Sequence, residues 1–248
     1  MSRTGVLALR LAGPLQSWGA SSRFTRRTTE SAPTKSGVIG LLASAAGIER
    51  GDDTNLAPLA ALRFGVRIDQ PGTRIRDFHT AHHGVTGASM PLSERFYLAD
   101  AVFVAAVEGD QALLTGLYDA LRAPVYLPYL GRRSCPPSEP VDLALYEDTA
   151  LENVLANVPW QASSWYRRRH RTPQSLTILR ERVANEPAEP ADVLRDQPVS
   201  FNAAHRRHAL RTVVATAVPT PAPADGGGSP QVPHDPFAAL DALENESA

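Results

Sequence analysis

Cysteine, lysine and long apolar runs are scarce in this chain. The single cysteine, Cys135, excludes an internal disulfide and suits a reducing compartment. No apolar run approaches the roughly eighteen residues of a membrane span, and the N-terminus lacks a signal peptide's apolar stretch. These absences lead us to expect a cytoplasmic protein with no membrane partner. Also missing are a GxxxxGK[ST] phosphate loop, a dinucleotide fingerprint and a G-x-S-x-G elbow. Without them the common nucleotide-dependent and serine-hydrolase chemistries have no foothold.

Of 25 basic residues only Lys35 is a lysine. Arginine suits forked contacts to phosphate and stacking on bases. A GC-rich genome favours arginine codons too, so the bias permits nucleic acid without requiring it. Charge is also unevenly spread. Beyond Val218 stand five acids (Asp225, Asp235, Asp241, Glu244, Glu246) and no Lys or Arg, so the first 218 residues carry +4 against −1 for the chain.

The 248 residues are enough for one sizeable domain or two small ones. Residues 6–11, VLALRL, alternate as a strand does. The turn AGPLQSWG and an Arg/Thr-rich loop follow. Residues 36–46 then form a helix that is apolar nearly all round, which implies burial, and it closes at Gly47. Residues 62–68 alternate again, a third strand is predicted over 96–107, and Asp110 caps an amphipathic helix. VYLPY (125–129) reads as a short fourth strand, at a sheet edge because of Pro128.

That order, β-α-β-β-α-β, predicts an α+β, ferredoxin-like (RRM-like) domain over 1–140. The polar stretch at about 69–95 is an insertion in it, too long for an ordinary connection. Residues 141–218 read as a small β-rich C-terminal extension, with strands at 175–182 and 210–218. Residues 219–248 read as a disordered acidic tail whose PFAALDALENE segment suits a brief helix.

RLAGPLQSWG (10–19), PTKSGVIGLL (33–42), RDFHT (76–80) and PYLGRRSCP (128–136) occur in this order. Together they resemble the CasD family of subunits from the type I-E CRISPR Cascade complex, within the RAMP superfamily. The likeness covers about the first 145 residues, with a weaker echo at DQPVSFNAAHRRHALRTVV (196–214). It implies a non-catalytic subunit that binds the 5′ handle of the guide RNA (crRNA) and caps an antiviral ribonucleoprotein complex. It also implies that the insertion is a β-hairpin thumb. The implied partners are crRNA, the backbone subunit (CasC), the large subunit (CasA), other Cascade subunits and, in the assembled complex, target DNA. No cofactor is implied.

Several residues fit such a role on their own chemistry. Gln16 suits either a base edge or the turn's own backbone, and Trp18 either a stacked base or the core. Thr34, Lys35 and Ser36 precede a helix whose free N–H groups suit a phosphate, although Thr34 or Ser36 equally suits a simple cap. Arg23, Arg26 and Arg27 would extend a basic track. Arg132 and Arg133 follow Gly131 on a hinged loop, as a backbone clamp or a solvated pair. The insertion carries Arg74, Arg76, His79, His82 and His83, with Arg76 and His79 as RNA contacts. The HxxHH spacing lacks the carboxylates or cysteines that would make it a metal site. WYRRRHR (165–171) is the densest basic run and falls outside the recognised segments.

One rival reading is metal-independent cleavage of CRISPR precursor RNA. His79 or His82, Tyr97 or Tyr129, and Lys35 would supply base, acid and cation. A purely protein-binding scaffold would leave the arginine loops without a use.

Overall fold

The computed structural model describes residues 3–19, 26–183, 186 and 190–223. The chain begins with β1 (Thr4–Ala12), β2 (Leu15–Gln16) and β3 (Arg26–Arg27), then the helices α1 (Lys35–Ala45) and α2 (Asp53–Ala61). Next come β4 (Arg63–Gln70), β5 (Thr73–His79), β6 (Ser93–Ala99) and β7 (Val102–Asp110). The helix α3 (Gln111–Arg122) leads to β8 (Asp142–Glu147), α4 (Leu151–Asn157) and α5 (Ser164–Arg169). Three strands finish the described chain: β9 (Ser175–Glu181), β10 (Asp192–Ser200) and β11 (Arg207–Pro219).

The architecture is mixed α/β, built on a seven-stranded sheet in the order β10-β11-β9-β4-β7-β1-β8. Every pairing in it is antiparallel. Strand alternation sends Leu7, Leu9 and Leu11 into a core roofed by α1, α2 and α3. Val6 and Ala8 point the other way, into a second core under α4. Both faces are therefore covered, which is why VLALRL is apolar at nearly every position.

The sequence and the fold differ at three places. VYLPY is not a strand: residues 124–141 run as irregular chain, and the strand that pairs with β1 is β8. The run over 96–107 breaks into β6 and β7, because Asp100 adopts φ +55 and turns the chain. β9, β10 and β11 do not fold apart from the first 140 residues. They continue the main sheet through the β9–β4 pairing. The acidic tail from residue 224 lies outside the described residues.

β5, inside the predicted insertion, and β6, which begins at its end and continues into the predicted third strand, form an antiparallel hairpin. β6 also pairs with β2 and β3, so the hairpin is rooted in the turn that follows β1. Among the described residues, no helix is long and apolar enough to cross a membrane.

A buried guanidinium ties the second core together. Arg67, on β4, has no exposed surface. It donates to both oxygens of Asp69 (2.7 and 2.9 Å) and to the carbonyls of Leu155, Val158 and Pro159 (2.7, 2.6 and 3.0 Å). All five donors of the side chain are used, and three of them close the C-terminal end of α4. We predict that Arg67→Met lowers stability by about 3–5 kcal/mol, since it strands a buried carboxylate and three carbonyls. Urea unfolding measures this, and a near-neutral variant would contradict it.

Candidate nucleic-acid interface

The start of α1 is already closed by the protein itself. Thr34 Oγ1 accepts from the Gly37 amide (3.3 Å), and Asp196 Oδ2 accepts from the Lys35 amide (2.8 Å). Asp196 is fully buried and also receives both arms of Arg211 (2.9 and 2.7 Å). The Lys35 ammonium is 3% exposed and reaches Glu181 at 2.8 Å. Burial pushes its pKa below the ordinary lysine value, with Glu181 opposing that shift. The phosphate site expected at Thr34 and Lys35 is thus filled by a carboxylate from β10. A helix N-terminus attracts any anion, and here the fold supplies one.

The turn after β1 is likewise internal. Gln16 is buried: its amide donates to the carbonyls of Leu11 (3.0 Å) and Ala101 (2.7 Å) and accepts from Trp18 Nε1 (3.0 Å). Trp18 is 1% exposed and packs over Gly37, where an added Cβ would stand 2.8 Å from the ring. Neither residue offers a free face to a base. They brace the loop at Gly131, which approaches the Ser17 carbonyl closely and adopts φ +85.

What this bracing leaves open is a cleft of about 850 Å³. Its floor is the small-residue face of α1: Ser36, Gly37, Gly40 and Ser44. That face is why α1, apolar by composition, is only partly covered. One wall is the irregular segment with Tyr126, Leu127, Pro128, Tyr129 and Arg133. The opposite wall carries Phe201, Arg206 and His208 from the end of β10 and the start of β11. Leu127 is 82% exposed, an unusual exposure for a large apolar side chain beside a cleft. Arg50, Arg133 and Arg206 line the cleft, and among the described residues none of them is in an ion pair.

Of the RNA-binding candidates singled out from sequence, Trp18, Thr34, Ser36 and Arg133 line the cleft, with Trp18 and Thr34 themselves buried. Arg132 does not line it; the side chain donates to the Arg27 carbonyl (3.0 Å) and lies 4.7 Å over the Tyr97 ring. It fastens the cleft wall to the root of the hairpin. Arg27 is exposed at that root. Arg23 and the Arg26 side chain lie outside the described residues.

Arg76 and His79 sit on the hairpin instead. Arg76 lies 4.8 Å over Phe78, and His79 pairs with Asp77. At the hairpin tip, His82 contacts Gly87 O (3.2 Å) and Ser89, while His83 accepts from the Thr86 amide (3.3 Å). These two histidines serve the turn. Of the groups proposed for cleavage, Lys35 reaches Glu181 and Tyr97 lies beneath Arg132, while Tyr129 lines the cleft. Cys135 is buried, which raises its thiol pKa.

Phe201, Arg206 and His208 had no sequence role beyond a place in the fainter 196–214 similarity. Only the continuation of the sheet brings them opposite residues 126–133.

The profile of the family described as CRISPR-associated protein (Cas_Cas5) matches residues 6–214. The CRISPR system Cascade subunit CasD of Escherichia coli (strain K12) is 35% identical over 169 residues, which is 61% of this chain and 75% of that protein. A Cas protein crystal structure superposes with a TM-score of 0.66 at 36% identity, over 88% of this chain and 98% of that one. A chain of a CRISPR RNA-guided surveillance complex gives 0.65 at 36% identity, over 86% and 91%. With the profile spanning most of the described fold, the chain belongs to the CRISPR-associated Cas5 family.

Proposed function

We propose that this chain is a non-catalytic Cascade subunit that holds the 5′ handle of crRNA in the cleft beside α1 and caps the complex. The observation that carries this reading is the cleft itself. Three arginines that are in no ion pair among the described residues stand around a floor of small side chains, and Tyr126, Tyr129 and Phe201 supply ring faces. Free guanidinium groups attract phosphates, and aromatic faces accept unstacked bases. Small residues on the floor let a backbone approach closely.

The CasD and surveillance-complex relatives support membership in a ribonucleoprotein assembly. On that basis the partners are crRNA, the CasC backbone subunit, the CasA large subunit and target DNA, in the cytoplasm. Base pairing would supply sequence specificity, and the protein shape and charge. The strand order β4-β7-β1-β8, with α1 and α2 before β4 and α3 before β8, supports a ferredoxin-like domain that carries the site. The β5–β6 hairpin, with Arg76 and His79, is then a thumb against the RNA or a neighbouring subunit. Arg27 and Arg132 sit where the thumb meets the cleft, and Gln16, Trp18, Thr34 and Lys35 shape it from behind.

Labelled CRISPR repeat RNA, incubated with the purified chain in EDTA, should remain intact and shift on a native gel. The shift should weaken steeply with salt and fall at least tenfold in an Arg133→Gln/Arg206→Gln double variant. A specific product band lost on His79→Ala would instead make this a processing nuclease. A second variant probes the loop. A Cβ at residue 131 would stand 1.9 Å from the Ser17 carbonyl oxygen, on a backbone at φ +85. Gly131→Ala should therefore displace the Arg133 wall and weaken RNA binding by more than it lowers the melting temperature. Unchanged RNA affinity would contradict this geometry.

A further inference from the structure

The WYRRRHR run has no part in the cleft. It lies on α5 and just beyond, on the other side of the sheet. Tyr166 packs against a small core of Trp160, Ala162 and Leu176. Val218 touches both that core and the α4 core, so α5 shares the α4 face and not the α1 face.

The segment leading into α5 is bolted to β4. Trp160 Nε1 donates to the Asp69 carbonyl (2.9 Å), and the Gln161 amide donates to Asp69 Oδ2 (2.6 Å). Gln70 Oε1 accepts from both the amide and the hydroxyl of Ser163 (3.1 and 2.9 Å). Gln70 is itself buried. α5 thus starts from a fixed position, although it is short.

On this mount the side chains form a mixed aromatic and cationic surface. Tyr166 stacks on His170 at 4.2 Å, and Trp165 meets the Tyr166 ring edge-on at 5.8 Å. Trp165 is 39% exposed. Arg168, Arg169 and Arg171 are exposed and Arg167 half-buried. No Asp or Glu occurs between Glu152 and Glu181. Among the described residues, none of these four arginines is in an ion pair, whereas nearby Arg180 holds both Glu152 and Glu186.

From this arrangement we propose a second binding site, for single-stranded nucleic acid, on α5 and the residues that follow it. Four arginines without carboxylates provide the phosphate track, and Trp165 provides a face for an unstacked base. Duplex bases are already stacked on each other, so an exposed ring selects a single strand. An acidic protein surface would satisfy the arginines but would give the exposed ring no role. This site is separate from the cleft proposed for the crRNA handle, and the sheet lies between them.

The test uses the full-length protein and a fluorescein-labelled oligothymidylate of about twenty nucleotides, followed by anisotropy across a salt series. Arg167→Gln/Arg168→Gln/Arg169→Gln/Arg171→Gln should weaken binding at least tenfold and reduce the log–log salt slope by about 3. Trp165→Ala should cost about tenfold with little change in slope. All five positions are at the surface or half-buried, so matched melting temperatures verify folding. Photocross-linking to an iododeoxyuridine-substituted strand should label Trp165 or Tyr166.

Absence of wild-type binding at low salt, a quadruple variant within twofold of wild type, or cross-links confined to 126–136 and 201–208 would overturn the proposal. Unchanged strand affinity combined with loss of the variant from the assembled complex would overturn it in favour of a protein interface. Failure of the cleft reading looks different: it leaves repeat RNA insensitive to Arg133→Gln/Arg206→Gln, whatever oligothymidylate does.

Discussion

One buried carboxylate holds the candidate interface in place. Asp196 receives both arms of Arg211 and the leading amide of α1, from a strand 161 residues further along the chain. Burying a carboxylate is costly unless donors meet it, and here a guanidinium and a helix end both do. The start of α1 is thereby tied to β10 and β11. The same two strands carry Phe201, Arg206 and His208 to the far wall of the cleft. The C-terminal extension therefore contributes to the candidate cleft.

A second consequence is electrostatic. The protein spends one set of arginines on its own carboxylates: Arg67 on Asp69, Arg63 on Glu108 and Glu152, Arg211 on Asp196. Another set, at the cleft and at α5, is in no ion pair among the described residues. Pairing separates the two populations, since a guanidinium already held by a carboxylate has few donors left for a phosphate. The near-absence of lysine does not make that distinction, and neither does net charge.

Much of the fold was legible from local pattern. β1, α1, β4 and α3 follow from alternation, apolar spacing and the Asp110 cap, because each depends on neighbours a few residues away. β8 was misplaced because VYLPY has strand-like composition, whereas the true partner of β1 is set by pairing across the sheet. The β6–β7 break was hidden because residues on both sides of Asp100 are apolar, and only the positive φ marks the turn.

The site was less legible, for the same reason of distance. Gln16 suited a base edge or the turn's own backbone equally until Ala101, 85 residues away, took its amide, and Lys35 suited a phosphate until Glu181 and Asp196 closed around it. Arg132 and Arg133 are adjacent in sequence, yet one clasps the hairpin root and the other faces the cleft. The short-range pattern could not say which side chains the rest of the chain would claim.

The most direct test of the central claim is hydrogen–deuterium exchange on the full chain, with and without saturating crRNA handle. If the RNA lies in the cleft, amides in residues 126–133 and 201–208 should exchange more slowly together, since they form opposite walls of one cavity. RNA binding at saturation with exchange in both segments unchanged would contradict the account and move the interface elsewhere.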